Sequence, residues 1–119
     1  MLAPGPDHPI TVTKSPRPVR VLFNGTIVAE STNALKLQEA DYRPVFYLPR
    51  EDARLEHFMH SDHSSRCPYK GRAAYFSLVV TGKRSENAAW TYEAPFPAVE
   101  AIKDFLAFYP FKVDAIEEF

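Results

Sequence analysis

The chain has one cysteine, Cys67, within SSRCPYKGRAAYF (residues 64–76), with Lys70 three positions on and Arg66 and Arg72 to either side. Cations around a thiol lower its pKa and favour the reactive thiolate. Cys67 is therefore a candidate nucleophile or redox thiol, with Lys70 as activating cation and His63 as assisting base. A second chemistry overlaps the first. His57, His60, His63 and Cys67 fall within eleven residues, HFMHSDHSSRC, and offer the N and S donors of a tetrahedral zinc site. Zinc sites on β-rich modules, however, draw ligands from two separated knuckles, and short gaps along extended chain send neighbouring histidines to opposite faces. A third reading needs no chemistry: free cysteine is among the most buried residue types, and Cys67 would simply pack beside a turn. The residues alone leave these three open, and no metal or cofactor is assigned.

The elements that must position Cys67 are short. A residue before proline is pushed out of the α region, so Cys67 is extended, while Pro68 and Gly71 suit the second and fourth places of a β-turn. CPYKG is then a strand, turn, strand corner. It feeds GRAAYFSLVVTG (71–82), which is apolar on both alternating faces and reads as a central strand covered on both sides. KRSEN is expected to turn the chain and AAWTYE to return as its partner strand. Upstream, VRVLFNGTIVAES sets Asn24 and Gly25 between β-branched runs, the mark of a two-residue hairpin. ALKLQEA alternates as a strand, and PVFYLP is a short strand bounded by prolines. REDARLEHFMH reads as a turn followed by extended chain. FPAVEAIKDFLAFYP spaces Val99, Ile102 and Phe105 three apart after Pro97 and predicts one short amphipathic helix near residues 97–105. FKVDAIEEF supplies a last short strand through Val113.

With 119 residues, 11 prolines and 4 glycines, the chain is expected to fold as one mainly β domain of many short elements over residues 19–119. Residues 1–18, proline-rich and aperiodic apart from Ile10 and Val12, form a tail or an edge segment. A formal net charge of −1 and the lack of any Lys/Arg run argue against a nucleic-acid partner. No stretch approaches the apolar length of a spanning helix, and MLAPGPDHPITV lacks the continuity of a signal peptide, so no membrane partner is expected. A lone cysteine makes no internal disulfide, which points to a cytoplasmic location.

The strings PVFYLPRED, RCPYKGRAAYF, ENAAWTYEAPFP and AFYPFKVD, in that order and spacing, resemble the family catalogued as domain of unknown function number 427, from about Val19 to Val113. The resemblance implies a β-tent, two small antiparallel sheets leaning together, with binding in the groove between them. Some relatives in that fold hold zinc through paired CxxC knuckles; this chain has none, which counts against a structural zinc. A nucleotidyltransferase label sometimes attached to the family implies paired carboxylates holding divalent metals. Glu51 and Asp52 are adjacent, so their side chains diverge, and no glycine-rich phosphate loop precedes them.

The candidates to line such a groove are Tyr47, Arg50, Cys67, Tyr69, Lys70, Tyr75, Trp90, Tyr92 and Tyr109. Rings that stack and cations that neutralise are what a cleft uses to hold a small anionic or aromatic ligand. The same aromatics also serve as ordinary core residues with a polar tip. A buried Arg50 or Lys70 needs a carboxylate or a ligand, and Asp52, Glu86 and Glu93 are the internal partners on offer. The leading expectation is a binding module for a small anionic or aromatic ligand. The alternatives are an enzyme using Cys67 with Lys70, and a protein interaction domain presenting a loop over residues 53–66.

Overall fold

The computed structural model describes residues 1–119. It is mainly β: ten strands joined by tight turns and four short 3₁₀ segments. The strands are β1 (Ile10–Lys14), β2 (Val19–Phe23), β3 (Thr26–Ser31), β4 (Leu35–Glu39), β5 (Val45–Tyr47), β6 (Phe58–Cys67), β7 (Gly71–Val80), β8 (Lys83–Tyr92), β9 (Ala107–Phe108) and β10 (Ala115–Glu118). No helix is long and apolar enough to cross a membrane.

The strands form three antiparallel sheets, one more than the two expected: β1-β4-β5, β10-β2-β3 and β6-β7-β8-β9. Length explains the third. β6, β7 and β8 have ten residues each, about 33 Å of strand, more than one five-residue sheet can cover. The β10-β2-β3 sheet buries Val19, Val21, Phe23 and Val28 against Leu78, Val80, Ala88 and Phe108 at one end. The β1-β4-β5 sheet buries Leu37 and Tyr47 against Ala73, Tyr75 and Tyr92 at the other. Bulges between Ser61 and Ser64 and between Phe76 and Leu78 add the local twist that lets one long sheet serve two cores. An isolated bridge between Leu48 and Leu106 stitches the end of β5 to the approach of β9.

Local chemistry accounts for the connections. Asn24 (φ 49°) and Gly25 (φ 73°) carry the β2–β3 turn as their positive-φ tolerance predicts, and Asn24 Nδ2 donates to the Val80 carbonyl at 3.0 Å. The next long hairpin departs from expectation. Its turn is Thr81 and Gly82, at φ 49° and 79°, and KRSEN is the start of β8 rather than a turn. A β-branched residue is costly at positive φ, so Thr81 gave no turn signal. The late helix is a 3₁₀ segment, Pro97–Ile102, interrupted at Val99 (φ −124°, ψ 27°); Val99 and Ile102 still bury, as their spacing requires. The last strand begins at Ala115, past Val113. Asp114 Oδ2 accepts from the Gly25 backbone N–H at 2.8 Å and so fixes where the chain joins β2. Residues 53–66 are no loop: they include the 3₁₀ turn Leu55–His57 and most of β6.

Gly71 closes the CPYKG corner at φ +116°, where an added Cβ would meet the Ala94 carbonyl oxygen at 3.4 Å. Gly71→Ala is expected to cost about 2 kcal/mol, read as a lower urea midpoint with an unchanged slope. Gly25→Ala, at φ +73° with nothing within 4 Å, is expected to cost about 1 kcal/mol by the same measurement.

Candidate functional site

Between the β1-β4-β5 sheet and the long sheet lies a cavity of about 230 Å³. Strand alternation builds it. Tyr75 is paired with Trp90 and Ala73 with Tyr92 across β7 and β8, so three rings leave one face of the long sheet, and the small Ala73 leaves space beneath Tyr92. Ser65, opposite Ala73, joins from β6. Tyr109 follows β9 directly, its N–H held by the Ala88 carbonyl at 3.0 Å. Tyr47, Leu37 and Val45 close the cavity from the facing sheet, and Glu39, Lys70, Tyr42 and Arg43 complete the lining. Tyr42 is largely exposed, 58%, and with the exposed Arg43 marks the mouth.

The hydroxyls are mutually bonded but not exhausted. Tyr75 Oη lies 2.8 Å from Ser65 Oγ and 3.1 Å from Tyr109 Oη. Trp90 Nε1 donates to Tyr47 Oη across 3.4 Å, and the indole stands 4.5 Å from the Tyr109 ring. Tyr92, only 5% exposed, has no hydrogen-bond partner for its hydroxyl. Burial is the chief reason that Tyr47 and Tyr92 hold their protons far above the ordinary phenol range, because a phenolate there would be stripped of water. Tyr109 is pushed up to about 12, by burial first and then by its bond to Tyr75.

At the edge of the cavity Lys70 Nζ donates to Glu39 Oε1, and Glu39 Oε2 is bonded to His8 Nε2 at 2.7 Å. Burial pushes the Glu39 carboxyl up, but the bonds from Lys70 and His8 outweigh it and the net shift is downward. The expected partners were different. Asp52 bonds the Ser31 hydroxyl at 2.5 Å, and Glu86 bonds Arg84 at 2.9 Å. Local spacing could not have named Glu39 or His8, which are 31 residues apart in sequence and meet only through the β1–β4 register.

Of the nine sequence candidates, Tyr47, Lys70, Tyr75, Trp90, Tyr92 and Tyr109 line this cavity. Arg50 does not. Its Nη2 reaches Thr91 Oγ1 at 3.3 Å and its guanidinium covers Phe76 at 5.5 Å; Thr91 points to the face opposite Trp90 and Tyr92. Arg50 Nε is buried without a partner. Tyr69 stacks on His8, centroids 4.0 Å apart and planes 8° from parallel, which fixes the N-terminal segment to the corner. Cys67 is half-buried at the end of β6, beside Met1 and Phe96. The groups expected to activate it are engaged elsewhere: Lys70 with Glu39, and His63 against the Tyr75 ring at 4.5 Å. His60 stands edge-on to Phe76 at 5.8 Å, and no three His, Cys, Asp or Glu side chains gather as a metal site.

Because the folded pKa of Glu39 lies below its ordinary 4.5, its ion pair contributes stability that is present above about pH 4.5 and lost as pH falls through the folded value. Glu39→Gln is expected to lose about 2 kcal/mol at pH 7 and to flatten this acid-side slope, checked by urea melts between pH 7 and pH 3. On the alkaline side the sign reverses: Tyr109, raised from 10.0 to about 12, binds its proton more tightly when folded, so stability falls above pH 10. Ultraviolet difference titration should show this phenol ionising only near pH 12 or on unfolding.

No curated protein matches the chain. The family described as Domain of unknown function (DUF427) matches residues 11–118, from the second residue of β1 to the last of β10, and so takes in both cores and every wall of the cavity. The chain belongs to the DUF427 family.

Proposed function

We propose that the chain is a small-molecule-binding domain whose ligand occupies the tyrosine-lined cavity between the β1-β4-β5 sheet and the long sheet. The observation that carries this reading is convergence. Side chains from residues 37–47, 65–75, 90–92 and 109 meet around one space, and half of them are aromatic rings, with Leu37 and Val45 as the aliphatic ones. At about 230 Å³ the cavity falls below the usual range for drug-sized ligands, about 300–1,000 Å³, so the ligand is compact, on the scale of a single ring. Trp90 and Tyr109 supply flat surfaces for it. The pairing of Lys70 with Glu39 makes the amine a part of the wall rather than the primary anchor. The alternative built on Cys67 gains no comparable support, since no base is hydrogen-bonded to the thiol.

Trp90 is the only tryptophan and therefore reports on the cavity directly. Titration with single-ring aromatic compounds at millimolar concentrations is expected to give a saturable change in its emission and a raised melting temperature, as binding to the native state requires. Val45→Phe fills the cavity from the facing sheet and is expected to abolish both responses while the far-ultraviolet spectrum is kept. No saturable response from any compound, or equal responses in Val45→Phe, would defeat the proposal.

A further inference from the structure

Several hydroxyl protons of the cavity have no protein acceptor, and this bears on the chemistry of its ligand. The inference rests on the binding reading above. Tyr47 Oη accepts from Trp90 Nε1, so its own proton is unspent. Tyr92 has no protein partner for its hydroxyl although the residue is 5% exposed, and Tyr47 is 1% exposed. Ser65, Tyr75 and Tyr109 bring three hydroxyl protons to two hydrogen bonds, which leaves a third proton over. The one carboxylate of the lining is already engaged on both oxygens, Oε1 by Lys70 and Oε2 by His8. Arg43, at the mouth, forms no ion pair.

A ligand entering this space therefore meets donors deep inside and positive charge outside, with a flat indole as the wall. A ligand that supplies acceptors gives these hydroxyl protons a partner that the protein does not, and a hydrogen bond to a charged group contributes about 1.5–3 kcal/mol. An ammonium would find the reverse: no free carboxylate, and Lys70 and Arg43 as like charges. The rings would attract it through their faces, but the unspent protons would stay unspent. A neutral alcohol supplies one acceptor and brings a further proton. A carboxylate supplies two oxygens with about four lone-pair sites and no proton, in a planar group that can stay coplanar with a ring on Trp90.

We infer that the cavity binds a small aromatic carboxylate, its two oxygens accepting from the Tyr47 and Tyr92 hydroxyls, its ring lying against Trp90 and its approach favoured by Arg43. The strongly held protons of the two phenols suit them to donate across the whole physiological pH range.

Three probes of nearly equal size test the charge directly: benzoate, benzyl alcohol and benzylammonium, each titrated at pH 7 against the full chain with Trp90 emission and melting temperature as readouts. Benzoate is expected to bind at least tenfold more tightly than benzyl alcohol, with benzylammonium weakest. Tyr92→Phe keeps the ring and removes the hydroxyl; it is expected to weaken benzoate about tenfold, in line with a hydrogen bond to a charged group, and to leave benzyl alcohol unchanged. Equal or tighter binding of benzyl alcohol or benzylammonium, or a Tyr92→Phe variant that holds benzoate as well as the parent, would overturn the carboxylate assignment and leave the cavity as a binding site. Failure of all three probes would remove both.

Discussion

Strand β7 has to be covered along its whole length, and the rest of the architecture follows from that constraint. Seven of its ten residues are apolar, and Ala73, Tyr75, Leu78 and Val80 are all buried. One five-residue sheet would cover only half of this ten-residue strand and leave the rest wet, at about 25 cal/mol for each Å² of apolar area left in water. The chain solves this with two small sheets placed at opposite ends of the long one. The core at the Leu78 end is built mainly of valine, leucine and alanine and closes tightly. The core at the Tyr75 end mixes Leu37, Ala73, Val99, Ile102 and Ala107 with Tyr47, Tyr75 and Tyr92, and the cavity lies where these tyrosines meet Trp90 and Tyr109.

The free edge of the long sheet follows the same economy. β6 is its outer strand, ten residues long, and an edge of that length invites pairing with another chain. The bulge between Ser61 and Ser64 breaks its regularity, and the exposed Asp62, His63 and Arg66 place polar groups along it. The polar HFMHSDHSSRC stretch that suggested a zinc site forms the solvated border of the sheet. His63 packs on Tyr75 and His60 on Phe76, each ring covering an aromatic that would otherwise face water.

How much of this was legible in the sequence depended on the range of the interaction. The Asn24–Gly25 hairpin, the CPYKG corner and the central position of β7 were readable because each is decided within a dozen residues by turn chemistry or by alternation. So was the gathering of Tyr47, Tyr75, Trp90, Tyr92 and Tyr109, through the motif order that resembles the DUF427 family. Arg50 was misplaced because the 3₁₀ turn at Arg50–Asp52 carries it to the other face of the long sheet, a rotation that no local pattern encodes. Glu39 was missed because its role is defined by Lys70 and His8, brought to it by strand register. His8 lies outside the residues matched by the family, in a segment that alternation does not describe.

The tyrosines themselves carry the argument about function furthest. For packing alone, phenylalanine would serve at 92: the ring is the same, and no protein group bonds the hydroxyl. At 47 the hydroxyl oxygen accepts from Trp90 Nε1, so there only its proton is without a protein partner. Away from the cavity, the hydroxyls of Ser31 and Ser61 donate to Asp52 and Asn87, while the buried Ser77 and Thr91, like Tyr47, accept a hydrogen bond. Tyr92, whose hydroxyl has no protein partner at all, stands beside the open space of the cavity. The guest proposed above would supply that hydroxyl with an acceptor and fill the space beside it, two features that packing alone does not require.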